Sequence, residues 1–343
     1  KTAYEIVSRD WSSDVCSSDL QAAFFNGRLL AYAGARYDTV RFRHREFIPV
    51  PTAFAVGQLV DKQLSALKPN FGVNYKVNGG LRFFVNYSES YFVPQSEATA
   101  TVNDPTYKSE IANGWDYGFK GSLLNDRLNF TLSGFYAVRE NVQVTDLQET
   151  PPGSGNYLEV ARREGNQLVR GFEFDFNWRL TEQLSAGGSW GHIYSIYTDY
   201  GAAFPLAVGR RVQGIAPVNG GAYLKWAATG GSLKGLSANI GVTHVAPTPT
   251  EAPNAGDTYT TTRTGERVLT RTTYQWRLRV PGYTLWNIGL RYRFQPAKSS
   301  YDHSFALNVN NALNQDYKRA NRLLGEERSV FLTYTVGRTG RNR

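Results

Sequence analysis

The chain has 343 residues, 41% of them apolar and 20% charged, a globular balance that excludes an intrinsically disordered or collagen-like protein. No run of about eighteen apolar residues occurs and the mean hydropathy is -0.42, which excludes a bundle of membrane-spanning helices but leaves open a membrane β-barrel, whose strands alternate between lipid and water. The formal charge of +9 is dispersed in groups no larger than Arg41, Arg43 and Arg45 or Arg210 and Arg211, and no recognition helix is predicted, so no nucleic acid partner is expected.

Residues 1–20 differ in texture from the rest. Two Ser-Ser-Asp triplets surround Cys16, no strand alternation runs through them, and Trp11 to Leu20 resembles translated sequencing-adapter sequence. They are read as a non-native segment, and the sheet is expected to begin at Gln21. Cys16 is the only cysteine, and His44, His192, His244 and His303 are widely separated, so no metal site, thiol nucleophile or cofactor is expected. Methionine is absent, which predicts a piece of a longer protein.

From Gln21 onward the pattern is that of two-faced strands, supported by 14% aromatic residues and 33 Gly. Between Arg127 and Arg139, one parity carries Leu128, Phe130, Leu132, Tyr136 and Val138, and the other carries Arg127, Asn129, Thr131, Ser133 and Arg139. Leu168, Phe172, Phe174, Phe176 and Trp178 alternate in the same way with Glu173, Asp175, Asn177 and Arg179. The pattern returns in Leu184 to Ile196 and in Trp286 to Phe294. Strands are predicted near 28–38, 67–77, 80–91, 109–122, 126–142, 166–180, 183–197, 217–228, 235–246, 282–294, 303–310 and 328–337, with a partial one at 21–26. Asn26-Gly27, Asn78-Gly79, Asn125-Asp126 and Thr181-Glu182 mark tight turns. The segments near 39–66, 92–108, 198–216, 247–281 and 311–327 are long, and short connections alternating with long ones characterise a membrane barrel.

Five elements in order give Gln21 to Arg343 a family likeness. They are Asn26-Gly-Arg-Leu-Leu through Gly34-Ala-Arg-Tyr-Asp38; Leu67-Lys-Pro-Asn-Phe-Gly through Tyr87-Ser-Glu-Ser-Tyr-Phe-Val-Pro94; Ser109-Glu-Ile-Ala-Asn-Gly-Trp-Asp-Tyr-Gly-Phe-Lys120; Arg170-Gly-Phe-Glu-Phe-Asp175; and Val309-Asn-Asn-Ala-Leu-Asn-Gln-Asp-Tyr317 with Gly325-Glu-Glu-Arg-Ser-Val-Phe-Leu-Thr-Tyr334. Together they resemble the C-terminal barrel portion of TonB-dependent outer-membrane receptors. Asp116 stands where the family more often has Glu, and the chain continues past Val336 where such barrels usually stop at an aromatic residue.

The resemblance implies an all-β fold: an antiparallel transmembrane β-barrel in the bacterial outer membrane, with about 12 of about 22 strands in this chain. It also implies uptake of a scarce nutrient, most often a ferric siderophore. The implied partners are membrane lipid and lipopolysaccharide, an N-terminal plug domain outside this chain, and a TonB-type energising protein reached through that missing part. A passive porin, an outer-membrane enzyme and a soluble β-rich adhesin or lectin are the alternatives.

No catalytic constellation emerges. Gly187-Gly-Ser-Trp-Gly191 matches a nucleophile-elbow string, but it lies within an alternating strand instead of a strand-turn-helix. Arg41, Arg43, Arg45, Arg263, Arg267 and Arg271 fall in long connections and are candidates to draw in an anionic ligand. Tyr37, Tyr91, Tyr107, Tyr259 and Tyr274 are candidates for stacking surface near the mouth.

Overall fold

The computed structural model describes residues 10–45, 59–92, 108–149, 157–201, 207–250, 257–261, 267–272, 279–297, 299–319 and 323–338. Thirteen strands form one antiparallel sheet in which neighbours in sequence pair in space. They are β1 (Asp10–Phe24), β2 (Leu29–Arg45), β3 (Leu59–Lys76), β4 (Leu81–Phe92), β5 (Glu110–Leu123), β6 (Leu128–Glu149), β7 (Tyr157–Arg179), β8 (Leu184–Asp199), β9 (Val218–Ala227), β10 (Leu236–Val245), β15 (Tyr283–Phe294), β16 (Tyr301–Asn310) and β17 (Ser329–Arg338). Between β10 and β15 lie β11 (Thr248–Pro249) paired with β14 (Arg279–Val280), and the hairpin of β12 (Asp257–Thr261) and β13 (Arg267–Thr272). Among the described residues β1 and β17 are the two edges of the sheet, which is therefore an open wall.

The ladder registers sort every side chain to one of two faces, because residues directly opposite in an antiparallel pair point the same way. One row runs Phe24, Leu29, Tyr75, Phe83, Phe119, Leu132, Phe174, Trp190 across eight strands. Displaced by one residue, a second row runs Lys76, Arg82, Lys120, Thr131, Asp175, Ser189, Gly221, Thr243. The first is apolar and solvent-accessible, which suits lipid; the second is polar, which suits an aqueous lumen. Aromatic residues gather at two levels of the apolar face. Phe71, Tyr87 and Trp115 stack toward the long connections, and Phe294, His303, Phe305 and Tyr334 stack toward the short ones.

The four tight turns fall where the sequence places them. Asn26 and Gly27 have φ of 54° and 78°, a left-handed pair that suits Asn-Gly. Asn78 Oδ1 accepts the Gly80 and Leu81 N–H groups, and Thr181 Oγ1 accepts those of Gln183 and Leu184. Gly187 and Ser189 lie within β8, where a Cβ on Gly187 would meet the Tyr223 ring at 2.6 Å. That glycine makes room for a neighbouring ring, and the Gly187–Gly191 string is strand, not a nucleophile elbow.

Three strand expectations require correction. The sheet begins at Asp10, not Gln21, since β1 pairs with β2 from Asp10↔Arg43 onward; backbone pairing along a free strand edge needs no side-chain alternation. β2 and β3 continue to Arg45 and back from Leu59 into the segment expected to be a connection. β6 and β7 extend to Glu149 and from Tyr157, past a register shift between Arg139 and Val142.

Phe174 lies in the apolar row, between Leu132 and Trp190. Replacing Phe174 by Asp should lower folding stability in a bilayer by about 2 kcal/mol, measured by denaturant titration in vesicles, whereas Ser133→Asp on the lumen parity should cost much less.

Candidate functional site at the long-connection end of the wall

At the end of the wall bearing the long connections, the lumen face carries a charged network. Glu110, near the start of β5, is buried and accepts from Arg139 of β6 through both Nε, at 3.0 Å, and Nη2; Arg163 Nη1 of β7 lies 3.4 Å from its other oxygen. Arg139 Nη1 also donates to Gln167 Oε1 at 3.1 Å. The register shift makes this convergence possible. Asn141 occupies it with φ of 57°, donates through Nδ2 to Ser109 O at 2.9 Å, and accepts Arg163 Nη1 on its carbonyl. Three strands are thereby joined above the level where lipid requires an apolar outer face.

Next to this network lies a small core, formed where the connection after β8 folds back. Val144, Tyr197, Tyr200, Ala207 and Val212 are buried together with Ile215 against them, and the Tyr197 and Tyr200 rings meet edge-on at 4.8 Å. Burial, with Tyr197 beside it, pushes the Tyr200 phenol up to about 12. The returning segment hydrogen-bonds along β8 through Tyr197 N to Arg210 O and Val212 N to Ser195 O.

A second cluster stands at β2–β4. The β3–β4 ladder ends at Asn70↔Ser88, one residue from Pro69, which has no N–H to donate. Beside this point Lys68 is buried, with Nζ 3.8 Å from Glu89 and 5.6 Å from the Tyr91 ring centroid. Arg36 Nε binds Asp38 at 2.8 Å alongside.

The remaining connections are also organised. Gly214 N donates to Pro249 O, tying the connection after β8 to the β11–β14 pair, and a cavity of about 350 Å³ lined by Ile193, Ile215, Val245, Val280 and Tyr283 lies at that junction. After β16, Asn311 Nδ2 donates to the carbonyls of Gln315 and Glu326 while its Oδ1 accepts Gln315 N, which closes the Asn-Asn-Ala-Leu-Asn-Gln-Asp-Tyr stretch into a compact loop. Tyr283 and Tyr317 pack over it at 4.5 Å.

The candidate ligand residues are distributed around this end. Arg41, Arg43 and Arg45 occupy alternate positions of β2, opposite Gln63, Asp61 and Leu59, and Arg41 shares the parity of Tyr37. Tyr91 lies against Lys68. Tyr259, Arg267 and Arg271 belong to the β12–β13 hairpin, in register Tyr259↔Leu269, Thr261↔Arg267 and Thr258↔Arg271. Tyr107, Arg263 and Tyr274 lie outside the described residues. Among the described residues, the ladder registers assign Arg41, Arg43 and Arg45 to β2, Tyr91 to β4, and Tyr259, Arg267 and Arg271 to the β12–β13 hairpin. Sequence reading missed the Glu110, Arg139, Arg163 and Lys68, Asp38 groupings, whose only signal was charge on the lumen parity near strand ends. Among the described residues no group of three or more His, Cys, Asp or Glu could hold a metal ion; the groups that line this end supply hydrogen bonds, charge and ring surface.

Glu110→Ala should destabilise the β6–β7 extension by about 3 kcal/mol, because it removes the carboxylate facing the buried Arg163. Faster proteolysis between Glu140 and Glu164, with the lower wall unchanged, is the expected readout.

Comparison with known proteins places this wall. Residues 18–312 match the family model described as TonB dependent receptor-like, beta-barrel. The chain is 26% identical over 191 residues to the metal-pseudopaline receptor CntO of Pseudomonas aeruginosa, covering 56% of this chain and 25% of that one. It is 30% identical over 145 residues to an uncharacterized TonB-dependent receptor of Haemophilus influenzae, covering 42% and 38%. The fold is similar to that of BauA, the ferric preacinetobactin receptor of Acinetobacter baumannii, with a TM-score of 0.72, 18% identity and coverage of 96% of this chain and 43% of that one. The copper transporter OprC gives a TM-score of 0.65 at 14% identity, covering 96% and 48%. The chain thus spans less than half the length of these relatives, and it belongs to the TonB-dependent receptor β-barrel family, the transport receptors of the bacterial outer membrane.

Proposed function

We propose that this chain is part of the wall of an outer-membrane active-transport receptor that admits a metal chelate, a ferric siderophore foremost, and that it performs no catalysis. The carrying observation is the two-faced sheet, whose polar lumen rows end in organised connections at one end only. In this reading further strands pair with the edges of β1 and β17, because unpaired backbone groups are costly in hydrocarbon. A plug domain rests against lumen groups such as Glu173, Asp175, Arg179 and Arg291, and a TonB-type protein energises it. The names of similar receptors, for a metal-pseudopaline complex and for ferric preacinetobactin, support a chelate as ligand.

The long connections gather that ligand. Arg41, Arg43, Arg45, Arg263, Arg267 and Arg271 contribute a positive field at the mouth, which raises the encounter rate of an anionic chelate and is screened by salt. The tyrosines of the same connections, Tyr91, Tyr107 and Tyr259, offer stacking surface to its aromatic parts.

The test is uptake of radiolabelled ferric siderophore by cells whose only such receptor is the complete protein. Uptake should cease when the proton gradient is collapsed, and changing the six arginines to Ser should slow capture, more so at low ionic strength. Uptake that survives uncoupling would favour a passive pore, and a rate unaffected by the six substitutions would remove the arginines from the mechanism.

A further inference from the structure

On the lipid-facing side, the row above the apolar centre reads Phe71, Tyr87, Trp115, Tyr136, Arg170, Tyr194. An arginine thus stands within a girdle otherwise made of aromatic rings. Its Cζ lies 4.9 Å from the Tyr194 ring centroid. Over the same ring, at 4.4 Å, lies the Cζ of Arg211, delivered by the segment that folds back along β8. The bridge Ile196↔Arg211 sets the parity of that segment: Arg211 falls with Ile196 on the outer face, while Val212 turns inward to the small core.

We propose that Arg170 and Arg211, stacked on Tyr194, form a binding site for the phosphate group of an outer-leaflet lipid. Three observations carry this. The level is right: Arg170 is eight residues from Trp178 along β7, about 26 Å of strand that at a tilt of about 40° rises about 20 Å through an apolar band about 25 Å tall, which sets Arg170 near the band's upper edge, within side-chain reach of the headgroups. The charge is uncompensated among the described residues. Among the described residues neither guanidinium forms an ion pair, and Glu173 and Asp175 of the same strand have the opposite parity. The donors are fixed. Arg211 Nη1 is held by Ile193 O at 3.1 Å and both guanidinium groups rest on the ring, so the remaining N–H edges are preorganised for a bidentate oxyanion. A cation at this depth on the lipid side is costly unless an anion meets it, and a headgroup phosphate is the anion available there.

The site rests on membership of the outer-membrane family and is independent of the transported ligand. It is tested with the complete receptor in detergent, by native mass spectrometry against lipid A, lipid A stripped of phosphate, and inorganic phosphate. The wild type should retain phosphorylated lipid A about tenfold more tightly than the R170Q/R211Q variant, and it should show no such preference for the stripped lipid. Inorganic phosphate should displace the lipid only in large excess. Equal retention of phosphorylated and stripped lipid by the wild type would overturn the proposal, and that comparison needs no variant to fold. Displacement by equimolar inorganic phosphate would overturn the lipid as source, and equal affinity of wild type and variant would remove these two arginines. Siderophore uptake should be unchanged in the variant, which separates failure of this site from failure of the transport reading.

Discussion

A chain that crosses a bilayer must satisfy its backbone N–H and C=O groups without water, and in this protein that constraint organises the rest. It makes neighbouring strands pair in sequence order, from β1 through β10 and on to β15, β16 and β17, with tight turns at one end. Once pairing is uninterrupted, the two-residue period of the strand fixes the faces: Phe174 and Asp175 are adjacent in sequence and stand on opposite sides of the wall. Neither side needs a conventional hydrophobic core. The one cluster of mutually buried apolar residues among those described, around Tyr197 and Val144, lies where the connections fold over the end of the sheet.

Where the lipid constraint lapses, the structure changes character. Beyond Arg139 the β6–β7 ladder shifts register, and the lumen face exchanges evenly spaced polar residues for a dense network around Glu110. Three residues nearer the tight turns, the outer face carries Trp115, Tyr136 and the Arg170–Tyr194 pair. A single boundary thus separates a wall built for lipid from a rim whose connections gather ligand.

This division explains what the sequence could show. The strands inside the boundary were legible because lipid enforces apolar side chains at every second position, as in Leu128 to Val138 and Leu168 to Trp178. Turns such as Asn26-Gly27 were legible because left-handed backbone restricts the residues that fit. The extension of β6 and β7 through 143–149 and 157–165 was not, since outside lipid neither face must be apolar and the period dissolves. Nor was strand β1 between Asp10 and Leu20, whose sequence lacks the two-residue alternation although its backbone pairs with β2. The rim network escaped for a different reason: Glu110 meets Arg139 and Arg163 only through the register of three strands and one bulge, and no local spacing encodes that.

The most direct measurement of the central claim is the periodicity of lipid contact along β7. With Cys16 replaced by Ser, single cysteines at 172 through 177 of the complete receptor in bilayers would carry a spin label, and its accessibility to oxygen and to a water-soluble nickel chelate would be read. Positions 172, 174 and 176 should favour oxygen and 173, 175 and 177 the chelate, in strict alternation. A flat profile, or one with the two sets exchanged, would contradict the assignment of faces on which the wall, the rim and the headgroup site all depend.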